Sequence, residues 1–506
     1  MLLSIFDQGA PRPCPAPFNF TAHVLGHAAT LGDKIALSVL GRDGSDDWTY
    51  RALESAVRGT GTGLLRAGLA PGDIVLMRLG NSVEFPIAYL GAIAAGIVPV
   101  PTSSQLTSDE VARMIADLQP AAILRDPDVV SAPGSREIGL DDLTAMRTLP
   151  PCDYAMGDPD RLAYVIYTSG TSGTPRAVAH AHRAIWARRM MTAGWYQMTE
   201  ADRLLHAGAF NWTYTLGTGL MDPWANGATA LIPRPGTDIT ALPDCLRASR
   251  ATIFAAAPGV YRKILADHPQ IDLPDLRHAL SAGEKLSEPL RQAWAGASGT
   301  QVYEAYGMSE CSTFISSSPA DPAPPGALGT PQKGRRIAII GPDGPVPLGD
   351  PGTIAIHRDD PGLMLGYLNA PEDTAARFQG DWFLTGDQGA MDENGHISYL
   401  GRNDDMMNAG GYRVSPLEVE AALSHFPGLA HVAVTEVEVK ADARIIVAFY
   451  TAPDQLDDAA LKEFAAGHLA RYKQPRAYVR LDALPTGANG KFLRRALKPL
   501  FPPEPE

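Results

Sequence analysis

An apolar run, Tyr164-Val165-Ile166-Tyr167, empties into Thr168-Ser169-Gly170-Thr171-Ser172-Gly173-Thr174-Pro175-Arg176, a loop of hydroxyls and glycines. Glycine lets a backbone approach a ligand closely, and successive N–H groups with Ser and Thr hydroxyls can wrap phosphate oxygens. The run reads as a buried strand feeding an anion-binding loop. No Gly-Lys-Ser/Thr closes it, so it is not a Walker A loop. Taken alone, the segment is equally a flexible linker.

Other segments carry residue types that suit the same chemistry. Tyr303-Glu304-Ala305-Tyr306-Gly307-Met308-Ser309-Glu310 gathers aromatic rings, a hydroxyl and carboxylates. Trp382-Phe383-Leu384-Thr385-Gly386-Asp387 ends on an acid and is followed by Gly401-Arg402-Asn403-Asp404-Asp405. Leu484-Pro485-Thr486-Gly487-Ala488-Asn489-Gly490-Lys491 sets a lysine in a Gly-rich loop, which a structural lysine does not require. Each has a bland alternative. Tyr306 could fill a core, Glu310 could be a solvated acid, Asp387 a turn residue, and Lys491 a tail lysine like Lys498. For an isolated acid the bland alternative usually wins.

Together and in this order, the segments resemble the signatures of the adenylate-forming enzymes: acyl-CoA synthetases, luciferases and peptide-synthetase adenylation domains. The resemblance runs from about Trp48-Thr49-Tyr50 to about Arg495. It implies that a carboxylate attacks the α-phosphate of ATP to give an acyl-AMP, and that a thiol, usually that of coenzyme A, displaces AMP. It also implies roles. Thr168, Ser169, Gly170, Thr171, Ser172, Gly173, Thr174 and Arg176 would cradle the β- and γ-phosphates. Ala282, Gly283, Glu284 and Lys285 would form a wall beside adenine. Within Glu304-Ala305-Tyr306-Gly307, Tyr306 would stack on the base. Ser309 would bond the α-phosphate, Glu310 would hold Mg²⁺, Asp387 would accept the ribose hydroxyls, and Arg402 would lie near ribose and phosphate. Lys491 would bridge the substrate carboxylate and the α-phosphate. Asp404 would be a hinge, and Gly410-Gly411 would line a thiol tunnel.

Two departures stand out. The loop ends in Pro175-Arg176-Ala177, where the family usually has Pro-Lys-Gly, and Asn408 replaces the usual lysine of the hinge segment. Arginine keeps the charge and offers phosphate a planar fork. By resemblance, Ala209 to Gly217 should line the acyl pocket. Peptide-synthetase domains place an aspartate there to meet an α-ammonium, and this chain has neutral Asn211. Phe210, Trp212 and Tyr214 would supply flat apolar walls. A benzoate-type acid is expected, and the segment Pro361 to Asp387 is similar to the benzoate-CoA ligase branch. The alternative, that these aromatics are core, stays open.

Composition sets the bounds. A chain of 506 residues exceeds what one core usually fills, so at least two domains are expected. Its apolar content of 45% and charged content of 20% suit a globular protein. A net charge of −13 argues against nucleic acid as a partner. Cys14, Cys152, Cys245 and Cys311 are scattered, without metal or disulfide spacing. There is neither a basic leader nor the ~18-residue apolar run of a membrane span. A cytoplasmic protein, monomer or homodimer, is expected, with no membrane partner and no carrier domain after Lys491.

Elements must position these residues. Ile74-Val75-Leu76-Met77, Ala121-Ala122-Ile123-Leu124 and Thr252-Ile253-Phe254-Ala255 read as strands. Thr107 to Gln119 reads as a helix with a Thr107…Glu110 capping box and an apolar face of Val111, Met114, Ile115 and Leu118. This alternation predicts α/β architecture, parallel sheets covered by helices. After Gly401-Arg402 the pattern restarts. A Ser415…Glu418 capping box opens a helix, strands follow at His431–Val437 and Arg444–Tyr450, and a helix runs from about Asp457 to Ala470. The expected organisation is a large N-terminal ATP- and acyl-binding domain of covered sheets (1–402), a hinge (403–405) and a small mobile C-terminal α+β domain (406–506).

The expected function is an ATP- and Mg²⁺-dependent acid:coenzyme A ligase. An amine or carrier-protein acceptor, an aliphatic acid, and a nucleotide-binding regulator without catalysis are the rivals. Intact Lys491, Glu310, Asp387 and Asp404 speak against the last.

Overall fold

The computed structural model describes residues 2–41, 44–168, 176–409, 412–440, 443–469, 471–486 and 492–502. The chain divides into two compact units. The larger comprises Phe6–Ile337 and Ile356–Phe383; the smaller comprises Met1–Ile5, Ala338–Ala355 and Leu384–Glu506.

In the larger unit, strands Arg203–His206, Thr229–Pro233, Ile253–Ala256, His278–Ala282 and Val302–Met308 lie in one parallel array with Ile35–Gly41. Ser312–Ser316 and Ala327–Pro331 extend it in antiparallel fashion. Both faces are buried, as parallel sheets require. Side chains alternate between faces along a strand. Accordingly Phe254 and Ala256 join a core with Leu205, Tyr261 and Trp294, while Ile253 and Ala255 join another with Trp195, Tyr196 and Leu280. A second sheet, wholly parallel, has the order Val98–Pro101, Ile74–Arg78, Ala122–Arg125, Glu137–Gly139.

The helix predicted near Thr107 spans Ser108–Leu118. Thr107 caps it in a reciprocal box with Glu110, and Val111, Met114, Ile115 and Leu118 are buried. The run entering the hydroxyl loop is also a strand, Leu162–Thr168, but an antiparallel one. It pairs with Arg176–Ala181, which pairs with Gly366–Tyr367. Among the residues whose burial is described, the alternate ones, Ala163 and Val165, are fully buried, as befits an antiparallel sheet with one wetter face. The run is thus the strand expected, buried along one face.

In the smaller unit, His431–Lys440 and Ala443–Thr451 form an antiparallel pair, with Ala477–Arg480 added in parallel. Helices Pro416–Leu423 and Asp458–His468 contribute Val419, Leu423, Leu461 and Ala465 to a core with Val434, Ile446 and Tyr450. Ser415 caps its helix through the Glu418 N–H. The return half of that expected box is replaced: the Glu418 carboxylate pairs with Lys473.

Trp294 is fully buried, stacked on Phe254 at 5.7 Å and edge-on to Tyr261 at 4.8 Å. Trp294→Ala should destabilise the larger unit by about 3–5 kcal/mol, read as a lower midpoint of its thermal or urea transition. An unchanged midpoint would place this ring outside the cooperative core.

Candidate active site

In open α/β sheets, ligands bind beyond the carboxyl ends of the strands. Three of the expected segments leave the long sheet at such ends. His278–Ala282 runs into Gly283, whose φ of +92° lies in the left-handed region that glycine adopts without strain. The turn after it is held by Glu304 on the neighbouring strand. The Glu304 carboxylate accepts from the Leu286 N–H at 2.8 Å, from Lys285 Nζ at 3.2 Å and from Arg291 Nη2 at 3.3 Å. Glu304 and Lys285, both expected beside the nucleotide, therefore hold each other. Ala282 and Ala305 are register partners at these strand ends, and Glu284 lies in the bend that follows Ala282.

Val302–Met308 carries Ala305, Tyr306 and Gly307. Its pairing with Ser312–Ser316 shifts register after Tyr306. A Cβ on Gly307 would lie 2.1 Å from the Ser312 carbonyl oxygen, so no side chain fits there. Tyr306 is half-buried and edge-on to Phe314 at 5.3 Å. The Ser309 carbonyl accepts from His180 Nε2 at 2.8 Å. Glu310 is 8% exposed, and its Oε1 accepts from the Tyr367 hydroxyl at 2.7 Å. Burial, with Glu310 beside it, pushes the Tyr367 hydroxyl up to about 12, so it stays a donor.

Thr168 and Arg176 end their two strands as a register pair and bracket the hydroxyl loop. The Arg176 guanidinium lies over the Tyr367 ring, 5.0 Å from its centroid, and Nη2 is 3.3 Å from Asp373 Oδ2. Two strands of one hairpin-like sheet thus bring the exit of the loop to Glu310.

The aromatic segment follows the strand Arg203–His206. Phe210 is fully buried in the main core, while Asn211, Trp212 and Tyr214 are half-buried. Asn211 Nδ2 donates to Ser104 Oγ at 3.2 Å. Trp212 and Tyr214 meet edge-to-face at 5.1 Å, and both rings approach His206.

In the smaller unit, Asp387 and Arg402 are cross-strand partners, with Nε to Oδ1 at 3.4 Å. The Asp387 N–H donates to Thr385 Oγ1 at 3.1 Å. Asp404 lies in the short turn Asn403–Asp405. The contact division puts this turn inside the smaller unit. Ser169, Gly170, Thr171, Ser172, Gly173, Thr174, Gly410, Gly411 and Lys491 lie outside the described residues.

The family described as AMP-binding enzyme matches residues 26–368, and its C-terminal domain matches 418–491. The chain belongs to the AMP-binding enzymes. Its relatives include the 3-hydroxybenzoate–CoA ligase of Aromatoleum sp. (strain CIB), 30% identical over 98% of this chain and 99% of the relative. The benzoate–CoA ligase of Thauera aromatica is 31% identical with the same coverage. Among solved structures, an anthranilate CoA ligase in complex with anthranoyl-AMP superposes with a TM-score of 0.85 and is 25% identical, covering 96% of this chain and 98% of that one. The chain is therefore an adenylate-forming enzyme by fold, placed near the benzoate–CoA ligase branch. No helix among the described residues is long and apolar enough to cross a membrane.

Several polar pairings in the larger unit of this AMP-binding enzyme were not visible in the sequence. Tyr367 was visible in Gly366-Tyr367-Leu368-Asn369, but its partner Glu310 lies 57 residues away. His180 was one imidazole in an apolar strand. Arg188 and Asp222 form a buried pair, Nε to Oδ1 at 2.8 Å, joined by the Tyr196 hydroxyl at 2.6 Å from Asp222 Oδ2. Nothing in the local spacing signals either pair.

Several histidines of the larger unit are buried and neutral. Burial lowers His180 and His278 to about 4, and His182 and His206 to about 3. An unfolded imidazole titrates near 6.5. Below that pH the unfolded chain binds protons that the folded one does not, so stability is full above pH ~6.5 and falls as pH drops toward the folded values. At pH 5 each ring should cost about 2 kcal/mol. Urea unfolding of the AMP-binding enzyme at pH 7.5 and 5 should show this loss. Equal midpoints would mean that these rings are not held neutral.

Proposed function

We propose that this chain is an ATP-dependent acid:coenzyme A ligase that activates a benzoate-type carboxylic acid. The observation that supports this best is the buried Glu310 carboxylate, held by Tyr367 beside the exit of the hydroxyl loop, in a chain that belongs to the AMP-binding enzymes along most of its length. In the first step a carboxylate oxygen bonds to the α-phosphorus of ATP, the bond to the β-phosphate oxygen breaks, and pyrophosphate leaves. In the second, the thiolate of coenzyme A attacks the acyl carbon and AMP leaves with the electron pair. The first step brings an anion onto a polyanion, so catalysis is positioning and charge neutralisation.

In this reading Thr168 to Thr174 and Arg176 wrap the phosphates, Tyr306 stacks on adenine beside Ala282–Lys285, and Ser309 bonds the α-phosphate. Asp387 accepts the ribose hydroxyls near Arg402. Among the described residues no group of three or more His, Cys, Asp or Glu gathers as metal ligands. A single carboxylate at Glu310 suits Mg²⁺, which completes its shell with substrate phosphates and water. When bound, that cation neutralises phosphate charge. Lys491 bridges the two reacting groups. We place the hinge at 403–405, between a domain of 1–402 and one of 406–506. Its rotation would exchange Lys491 for Gly410-Gly411, whose bare backbone lets a pantetheine arm pass. Four free thiols suit a cytoplasmic location.

Neutral Asn211 disfavours an α-amino acid, whose buried ammonium would lack an anionic partner at a cost of several kcal/mol. Trp212 and Tyr214 offer flat walls to an aromatic acid. The test is pyrophosphate release over benzoate, its hydroxy- and amino-derivatives, hexanoate and phenylalanine, with and without coenzyme A. Benzoates should lead and give a thioester only with coenzyme A. Release without a coenzyme A product would point to an amine or carrier acceptor. A hexanoate preference would sink the aromatic reading, and no release at all would sink the ligase.

Lys491→Ala should slow adenylation about a thousandfold, for ~4 kcal/mol of lost transition-state stabilisation, and largely spare thioester formation from supplied acyl-AMP. Equal loss of both half-reactions would make the lysine structural. With Nδ2 donating to Ser104, Asn211 keeps Oδ1 as acceptor for an ortho hydroxyl. Asn211→Ala should therefore lower the 2-hydroxybenzoate to benzoate ratio of kcat/KM about tenfold, the value of one hydrogen bond of about 1.4 kcal/mol. A constant ratio would show that the amide does not read that position.

A further inference from the structure

Glu310 is nearly buried and uses one oxygen on Tyr367. Among the described residues no hydrogen bond to Oε2 is present, so the second oxygen is the one offered to a cation. A free glutamate side chain samples several rotamers, and one phenolic bond of 2.7 Å selects among them. The phenol itself is unusually well fixed. Its residue pairs with Val178 across the strand that leaves the hydroxyl loop. Its N–H donates to Thr374 Oγ1 at 2.9 Å, and the next N–H, of Leu368, donates to the Ala177 carbonyl at 2.8 Å. Its ring carries the Arg176 guanidinium at 5.0 Å, and Asp373 holds that guanidinium from the other end at 3.3 Å.

Here the chain's departure from the usual Pro-Lys-Gly acquires a physical reason. A lysine ammonium is a compact point charge on a flexible stem. A guanidinium is planar, stacks on an aromatic face and keeps donors free at its edge. Arg176 can therefore brace Tyr367 where a lysine would not.

We propose that Tyr367 is a positioning residue that fixes the Glu310 carboxylate for a divalent metal–nucleotide complex, and that the Arg176–Asp373 pair fixes Tyr367 in turn. The inference rests on the reading of this site as an ATP site. It couples the end of the phosphate loop to the metal carboxylate through one phenol. The bland alternative is that Tyr367 merely satisfies a buried acid.

Calorimetric titration separates the two. ATP is titrated into the intact protein with Mg²⁺ and, separately, with EDTA. Tyr367→Phe keeps the ring and removes the hydroxyl. It should raise the Kd of Mg·ATP about tenfold, ~1.4 kcal/mol, and leave the Kd of metal-free ATP within about twofold. Arg176→Lys and Asp373→Asn keep the Tyr367 hydroxyl but loosen its ring, and should reduce the Mg²⁺-dependent gain about threefold, which also covers a Tyr367→Phe protein that fails to fold. Equal weakening with and without metal would make the residue structural and overturn the proposal, as would an undiminished Mg²⁺ gain in these variants. If the wild type binds no ATP under either condition, the ATP reading itself falls, a result distinct from both.

Discussion

A carboxylate kept out of water must be held by donors, or its charge is lost to desolvation. Glu310 is nearly buried, and the segment from 360 to 367 holds both its side chain and its backbone. Its backbone carbonyl accepts from the Met364 N–H at 2.8 Å, and its side chain accepts from Tyr367 on the same returning segment. That segment is pinned just upstream by a buried ion pair, Arg335 with Asp360, in which Asp360 also accepts from the Gly362 N–H at 2.8 Å and Arg335 donates to the Thr313 carbonyl at 3.1 Å. Breaking one member of such a pair would strand the other charge in a dry interior. His180 reaches from the loop-exit strand to the Ser309 carbonyl. Segments distant in sequence thus converge on one acid.

Local chemistry was legible in the sequence wherever it acts over a few residues. The Thr107…Glu110 box and the buried stripe behind it follow from spacing alone, because a helix closes its own hydrogen bonds. The Ser415…Glu418 box was half legible, since Lys473, fifty-five residues on, competes for the Glu418 carboxylate. The hydroxyl loop, the Tyr306-to-Glu310 run and Asp387 with Arg402 were found as motifs. What the motifs could not give was pairing. Glu304 was expected beside a nucleotide, yet its carboxylate is already engaged by Leu286, Lys285 and Arg291. Leu162–Thr168 is antiparallel to Arg176–Ala181, whose other edge takes a strand from residues 366–367 that no local pattern announces.

The same pairing bears on how an acidic protein, of net charge −13, can hold a polyanion. Among the described residues, Arg176 and Lys285 of the larger unit are matched by Asp373 and Glu304, and Arg402 of the smaller unit by Asp387. A neutralised cation attracts a phosphate less than a bare one, and its orientation is already paid for.

This pairing also accounts for why the arginine in Pro175-Arg176-Ala177 is compatible with the family's chemistry. A residue needed only for charge could be lysine or arginine alike. A residue that must stack on Tyr367 and reach Asp373 at once needs a flat cation with donors along its edge. The substitution leaves the charge at the end of the loop unchanged, with the guanidinium over the Tyr367 ring and beside Asp373. Ala177, the other residue of that departure, is buried in the strand, and its carbonyl receives the Leu368 N–H next to Tyr367. Arg176 and Ala177 thus meet the segment that carries Tyr367 at adjacent points, one through its guanidinium over the ring and the other through its carbonyl.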